Sequence, residues 1–210
     1  MNNKALVVGA SNFSPRYIEK ILPDYDFVIA CDKGTEAFIE KGLNYDMAIG
    51  DFDSIGEIYR EKMDLNKILK YPITKDYTDL ELSIDYLSTK SFDRIDFTGV
   101  LGGRLSHELV NLALFYKLKK SGKKVAVREY YTRLEFIGDG ETLRVPKGVY
   151  VSIVPFTDDS FVTLKGFRWD LTNRRLEVAS SLTVSNYAIE TGYINCHGEP
   201  FLVIIEPKEE

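Results

Sequence analysis

Short apolar runs alternate with amphipathic stretches from residue 4 to about residue 129. The spacing predicts strands over Lys4–Val8, Phe27–Cys31, Met47–Ile49, Lys67–Tyr71, Arg94–Thr98 and Lys124–Arg128. Helices are expected between them, beginning near Ser14, Thr35, Ser54, Thr78 and Leu105. Pro15 suits a first helical position behind a Ser14 cap, and Leu80, Ile84 and Leu87 share one helical face. This βαβα order implies a mainly parallel, three-layer α/β domain, in which ligands collect at the carboxyl ends of the strands.

Beyond Glu129 the apolar runs shorten and take a period of two. Tyr150–Val154, Phe161–Leu164, Arg175–Val178, Tyr193–Cys196 and Phe201–Ile205 read as strands, separated by turn residues such as Gly138-Asp139-Gly140 and Pro146-Lys147-Gly148. The expected organisation is an α/β domain over residues 1–130 and a small antiparallel β-sandwich over 131–210, joined at Glu129–Arg133.

Composition narrows the class. The 210 residues are 44% hydrophobic and 28% charged, an ordinary globular mixture. With 27 cationic against 32 anionic side chains the net charge is −5, so no broad basic surface recruits nucleic acid. An anionic substrate must be received locally, by backbone amides, a few cations or a metal. Two cysteines far apart, Cys31 and Cys196, and two histidines argue against a zinc site. The first apolar run, Ala5–Val8, is too short for a signal peptide or a membrane span, so a soluble, cytoplasmic protein is expected.

Candidate chemistry sits at the strand ends. In Gly50-Asp51-Phe52-Asp53-Ser54 two acids stand two apart, on one side of an extended chain, where they can face one Mg²⁺. The competing reading is a turn in which Asp53 or Ser54 caps the next helix. Asp32-Lys33-Gly34 is either an anion-binding turn or a simple capped one. In Lys75-Asp76-Tyr77-Thr78-Asp79, Thr78 and Asp79 suit a helix start, while Lys75 and the acids also suit a phosphate and metal site. Gly102-Gly103-Arg104, with Ser106 and His107 just inside the next helix, is either an anion cradle or a loose loop. Farther on, Trp169 is either core or an apolar wall for a flat cation.

Taken together, Ile29–Gly34, Tyr45–Ile55, Lys75–Asp79, Gly102–Arg104, Gly166–Trp169 and Ser185-Asn186 resemble the thiamine pyrophosphokinase family over almost the whole chain, in the family's order. The resemblance implies a homodimer with active sites at the subunit interface, which moves the diphosphate of Mg-ATP to the hydroxyl of thiamine and releases AMP. It makes Asp51, Asp53 and Asp79 the catalytic metal ligands. It assigns Asp32, Lys33, Gly34, Lys75, Asp76, Thr78, Gly102, Gly103, Arg104, Ser106 and His107 to the nucleotide, and Trp169, Thr183, Ser185 and Asn186 to thiamine. Two positions depart from the family pattern: Lys33 stands where a glycine is frequent, and Ser106 where an aspartate is frequent. Alternatives are a diphosphokinase for another alcohol such as a hydroxymethyl-pterin, a phosphatase with Asp51 as nucleophile, or a non-catalytic nucleotide sensor.

Overall fold

Five short apolar strands build the N-terminal sheet of the computed structural model, which describes residues 3–12, 14–72 and 76–208. They are β1 (Lys4–Val8), β2 (Phe27–Cys31), β3 (Met47–Gly50), β4 (Ile68–Lys70) and β5 (Arg94–Thr98). All pair in parallel, in the order β5-β1-β2-β3-β4. Both faces of the inner strands are apolar because both are covered. On one face Leu6, Val8, Val28, Ala30 and Ala48 pack with Ile18 of α1 (Pro15–Ile21) and Phe38 of α2 (Gly34–Lys41). The residues of opposite parity, Ala5, Val7, Ile29 and Ile49, are buried as well, and α4 (Asp79–Ser88) packs against β1, β2 and β3. These are the three layers expected of this pattern.

Local signals explain the starts of two helices, α1 and α4. Pro15 opens α1 behind Ser14, although the Ser14 side chain makes no capping bond. Thr78 caps α4, its hydroxyl accepting from the Glu81 amide at 3.2 Å. The helix expected near Ser54 begins later: α3 is Glu57–Arg60, with Gly56 at its N-cap. Ser54 therefore caps nothing, because its hydroxyl is turned to another partner described below.

The chain divides into two compact units, Met1–Leu114 and Phe115–Glu210, and the division falls inside α5 (Leu105–Lys120). Beyond α5 every regular element among the described residues is a strand: β6 (Lys124–Arg128), β7 (Arg133–Ile137), β8 (Thr142–Val145), β9 (Val149–Pro155), β10 (Ser160–Phe167), β11 (Leu171–Leu176), β12 (Asn186–Gly198) and β13 (Phe201–Pro207). All their mutual pairings are antiparallel, running β6-β7-β13-β9-β12 and then β12-β10-β11, with β8 also on β12. The long β12 pairs with β9 at its start and with β8 and β10 farther along. Their inward residues, including Val151, Ile153, Val162, Leu164, Ile194, Phe201 and Val203, share one core. Cys196 lies in that core, and burial pushes its thiol pKa up to about 12. A parallel α/β region followed by an antiparallel β region is the architecture that the hydrophobic pattern implied.

Phe38 anchors the first core, fully buried and edge-on to Tyr45 with ring centroids 5.9 Å apart. Phe38→Ala is expected to cost about 3–5 kcal/mol of stability, the range for emptying a buried aromatic site. Urea unfolding followed by circular dichroism measures it.

Candidate active site

Because the strands of the first unit are parallel, the turns after β1, β2, β3 and β5 all emerge at one edge of the sheet. They surround a cavity of about 590 Å³, lined among others by Gly9, Ser11, Asp32, Asp79, Gly103 and Arg104. The turns meet so closely that side chains are excluded. A Cβ on Gly9 would lie 2.3 Å from the Gly99 carbonyl oxygen, and one on Gly34 would lie 2.8 Å from the Val8 carbonyl oxygen. Gly34 is thus required by the approach of α2 to the end of β1, and the left-handed residue of this turn is Asp32, two positions earlier, whose φ is +39°.

The acidic centre of the site has one oxygen from each of Asp32, Asp51 and Asp53 within 4.8 Å of the others. Asp51 and Asp53 do converge, but not through extended geometry. Phe52 between them has φ +61° and buries its ring in the core, so a left-handed turn turns both carboxylates outward. The Asp53 amide donates to Asp51 Oδ1 at 3.1 Å. Ser54 Oγ donates to Asp32 Oδ2 at 2.5 Å and thereby ties the β2 turn to the β3 turn. The other oxygen, Asp32 Oδ1, is buried and has no hydrogen-bond partner among the described residues.

Such crowding raises the free energy of the ionised state. The Asp51 carboxylate is the main cause that lifts the Asp53 pKa above its ordinary value; desolvation, the hydrogen bond with Asp51 and the Asp32 charge add to it. Three carboxylates, one with an unsatisfied buried oxygen, suit a hard divalent cation such as Mg²⁺. On this chemistry the residues fit the metal.

Of the triplet, Asp32 lines the cavity while Asp51 and Asp53 are not among its lining residues; the other residues expected from sequence fall around it in varying degrees. Asp79 lines it from the first turn of α4 but stands outside the carboxylate triplet. Lys33, Thr78, Gly103, Arg104 and His107 line it too. An Arg104 guanidinium nitrogen contacts His107 Nε2, which must accept there. Arg104 also receives the His107 and Glu108 amides at its carbonyl, at 2.9 and 3.2 Å, which places Ser106 inside the first turn of α5. Asp76 and Gly102 are exposed and are not among the lining residues. Lys75 lies outside the described residues. The cavity also includes residues that sequence reading passed over: Gly9, Ala10 and Ser11 after β1, and Glu108 and Asn111 on α5. A Gly-Ala-Ser-Asn turn directly after an apolar strand was the available signal for the first three.

In the second unit, Trp169 is 58% exposed, so it is not core. The Arg168 guanidinium lies over the Trp169 and Tyr187 rings, 5.6 and 5.7 Å from their centroids. Asn186 is buried and spends its amide on the Trp169 backbone, accepting from its N–H at 3.2 Å and donating to its carbonyl at 2.8 Å. Thr183, also buried, donates to the Ile153 carbonyl at 2.7 Å. Ser185 is exposed with φ +56°, and lines a separate, open cavity of about 1450 Å³ with Tyr130, Tyr131 and Tyr150.

Comparison with known proteins finds two successive family domains, the first of which runs past Leu114 to residue 127. The model for the thiamin pyrophosphokinase catalytic domain matches residues 18–127, and that for the thiamin pyrophosphokinase vitamin B1 binding domain matches residues 140–198. The thiamine pyrophosphokinase of Bacillus subtilis is 33% identical over 168 residues, 78% of each chain. Thiamine pyrophosphokinase 2 of Arabidopsis thaliana is 26% identical over 171 residues, 69% of this chain and 59% of that one. Among solved structures, the Bacillus subtilis enzyme superposes with a TM-score of 0.83 at 27% identity, covering 99% of this chain and 100% of that one. The Candida albicans thiamin pyrophosphokinase shares the fold, with a TM-score of 0.80 at 16% identity over 99% of this chain and 90% of that one.

The raised Asp53 pKa has a definite sign in stability. A carboxyl whose folded pKa exceeds its unfolded value contributes fully below the unfolded value and loses that contribution as pH rises through the folded one. In metal-free protein, Asp53→Asn should melt like the wild type at acidic pH and above it once pH passes the carboxylate range. Thermal scans in EDTA across that pH range check this.

Proposed function

The chain belongs to the thiamin pyrophosphokinase family, and from that premise we propose how its residues move the diphosphate of ATP to thiamine. The observation that supports the proposal is the carboxylate triplet, joined to the strand-end cavity through Asp32, one buried oxygen of which lacks a hydrogen-bond partner among the described residues. Asp51 and Asp53 hold Mg²⁺, with Asp79 and Asp32 as the further carboxylates within the same site. Bound there, Mg²⁺ neutralises triphosphate oxygens. Arg104, Lys33 and Lys75 bind the phosphates, and Gly34, Asp76, Thr78, Gly102, Gly103, Ser106 and His107 complete the nucleotide side.

In the reaction the thiamine hydroxyl oxygen forms a bond to the β-phosphorus of ATP. The bond from that phosphorus to the oxygen bridging to the α-phosphorus breaks, and AMP leaves. The hydroxyl proton passes to Asp51 or Asp79. Because phosphoryl transition states are loose, positioning and charge neutralisation carry more of the rate than base strength. The thiamine side is formed by Trp169 and Ser185, the first as an exposed aromatic wall for a flat cation. Thr183 and Asn186 serve it indirectly, since both side chains are buried and committed to backbone.

The protein works as a homodimer with its active sites at the subunit interface. Support comes from α5, whose Leu105, Leu109 and Val110 are 69%, 59% and 48% exposed beside the cavity, an apolar surface that water disfavours. It works in the cytoplasm. Both cysteines are buried and not joined in a disulfide, as a reducing compartment allows, and no helix among the described residues is long and apolar enough to cross a membrane.

Incubation with Mg-ATP and thiamine should yield AMP and thiamine diphosphate in equal amounts, identified by chromatography; ADP or free phosphate as the main product would overturn the assignment. Asp51→Asn and Asp53→Asn should each lower kcat about a hundredfold or more, the scale of a lost transition-state electrostatic contact. Wild-type turnover in both at saturating Mg²⁺ would remove them from the metal site. Trp169→Ala should raise KM for thiamine while leaving KM for ATP unchanged, as steady-state kinetics can read directly.

A further inference from the structure

Behind the two aspartates of the β3 turn stands a cation that no sequence motif marks. Arg60, the last residue of α3, donates through one terminal guanidinium nitrogen to the carbonyl oxygens of Phe52 at 2.6 Å and Ile55 at 3.3 Å. Phe52 is the residue between Asp51 and Asp53, and its φ of +61° lies in a region that non-glycine residues hold only when their surroundings enforce it. Three restraints enforce it here. The side chains of Phe52 and Ile55 are each 4% exposed, pinned in the core. Glu36 Oε1 accepts from the Gly56 amide at 3.0 Å, closing the far end of the turn. Arg60 holds the carbonyls between these points, where a water molecule would leave the backbone free to rotate.

We propose that Arg60 is a positioning residue for the metal site: by holding the Phe52 and Ile55 carbonyls it keeps the turn left-handed at Phe52, and so keeps Asp51 and Asp53 converged on one cation. The proposal rests on the metal reading above. It makes a prediction whose sign is opposite to that of simple electrostatics. A guanidinium beside a cation site repels the cation, so by charge alone its deletion would tighten metal binding. By positioning, the deletion weakens binding, because the two carboxylates no longer share a fixed geometry.

The test is titration of the full-length protein with Mn²⁺ alone, followed by loss of the free-ion electron paramagnetic resonance signal, for wild type, D53N, R60M and R60Q. R60M is expected to bind about tenfold more weakly or worse, the range for residues that orient metal ligands. R60Q, neutral but with an amide donor for one carbonyl, should recover part of the loss. In turnover, R60M should need more Mg²⁺ for half-maximal rate while approaching the wild-type kcat at saturation. Mn²⁺ affinity in R60M equal to or tighter than wild type overturns the proposal. If circular dichroism shows R60M unfolded, R60Q decides, and wild-type affinity there overturns it equally. Wild-type protein that fails to bind Mn²⁺, or D53N that binds it as well as wild type, overturns the metal reading itself.

Discussion

The parallel register of β5, β1, β2 and β3 is the constraint on which the site depends. It makes every strand of the first unit end on the same side, so that α2, α4 and α5 all begin there, at Gly34, Asp79 and Leu105. Helix starts carry unpaired amides and the positive end of the helix dipole. One sheet edge thereby gathers several partial positive charges before any ligand arrives. Such a field favours a triphosphate, and it also tolerates acids: Asp32 precedes α2 and Asp79 opens α4. The close approach of Gly9 to Gly99 shows how little room the turns leave, since a single methyl group there would overlap a carbonyl oxygen.

Convergence of that kind conflicts with local preference, and the conflict is concentrated at two residues. Asp32 and Phe52, like Asn12 after β1, have positive φ without being glycine; Asp32 belongs to the carboxylate triplet and Phe52 lies between its other two members. Each is over-determined by its surroundings. The Asp32 amide donates to the Ile49 carbonyl at 2.8 Å, while Ser54 grips its carboxylate. Phe52 is sealed into the core by its own ring. The repulsion among the three acids is therefore borne by a scaffold that does not let them swing apart, as a preorganised metal site requires.

Much of this was legible from residues alone. The limits of β1, β2, β5 and β6 follow the expected runs residue for residue, and β1 and β2, buried on both faces of a parallel sheet, read as nearly uninterrupted hydrophobic segments. The acids and glycines at strand ends were visible for the same reason. What the pattern hid depends on tertiary partners. β7 was not recognised although Arg133-Leu134-Glu135-Phe136 alternates; its Glu135 is buried and satisfied by Arg133 at 2.8 Å through Nε, a pairing that periodicity does not register. β8 was missed as well, its exposed Thr142 and Arg144 leaving only a short apolar signal between turns. In β12 only the end was recognised, since Gly192 looks like a break but sits where a side chain would strike Phe167 and Val145. Ser54 reads as a cap in the sequence because capping is local, whereas its partner, Asp32, is 22 residues away. Asp32 entered the carboxylate cluster through a left-handed turn that no pattern of hydrophobicity encodes.

The second unit shows why residue type alone is a poor guide to which polar group meets a ligand. Asn186 carries a side-chain amide, the sort of group that recognises small molecules, yet it closes both backbone groups of Trp169 in the manner of a missing strand neighbour. Its oxygen accepts from both the Trp169 and Tyr187 amides and one of its N–H groups donates to the Trp169 carbonyl, so the side chain is largely committed to backbone. Its contribution is the fixed backbone from which an exposed indole projects, with Arg168 spanning it and Tyr187. Holding a large apolar ring in water is unfavourable, and a buried polar clamp that enforces it implies that the ring is meant to be covered. On the proposed thiamine side, buried residues would set the geometry and exposed ones make the contact, the same division that separates Phe52 from the two aspartates beside it.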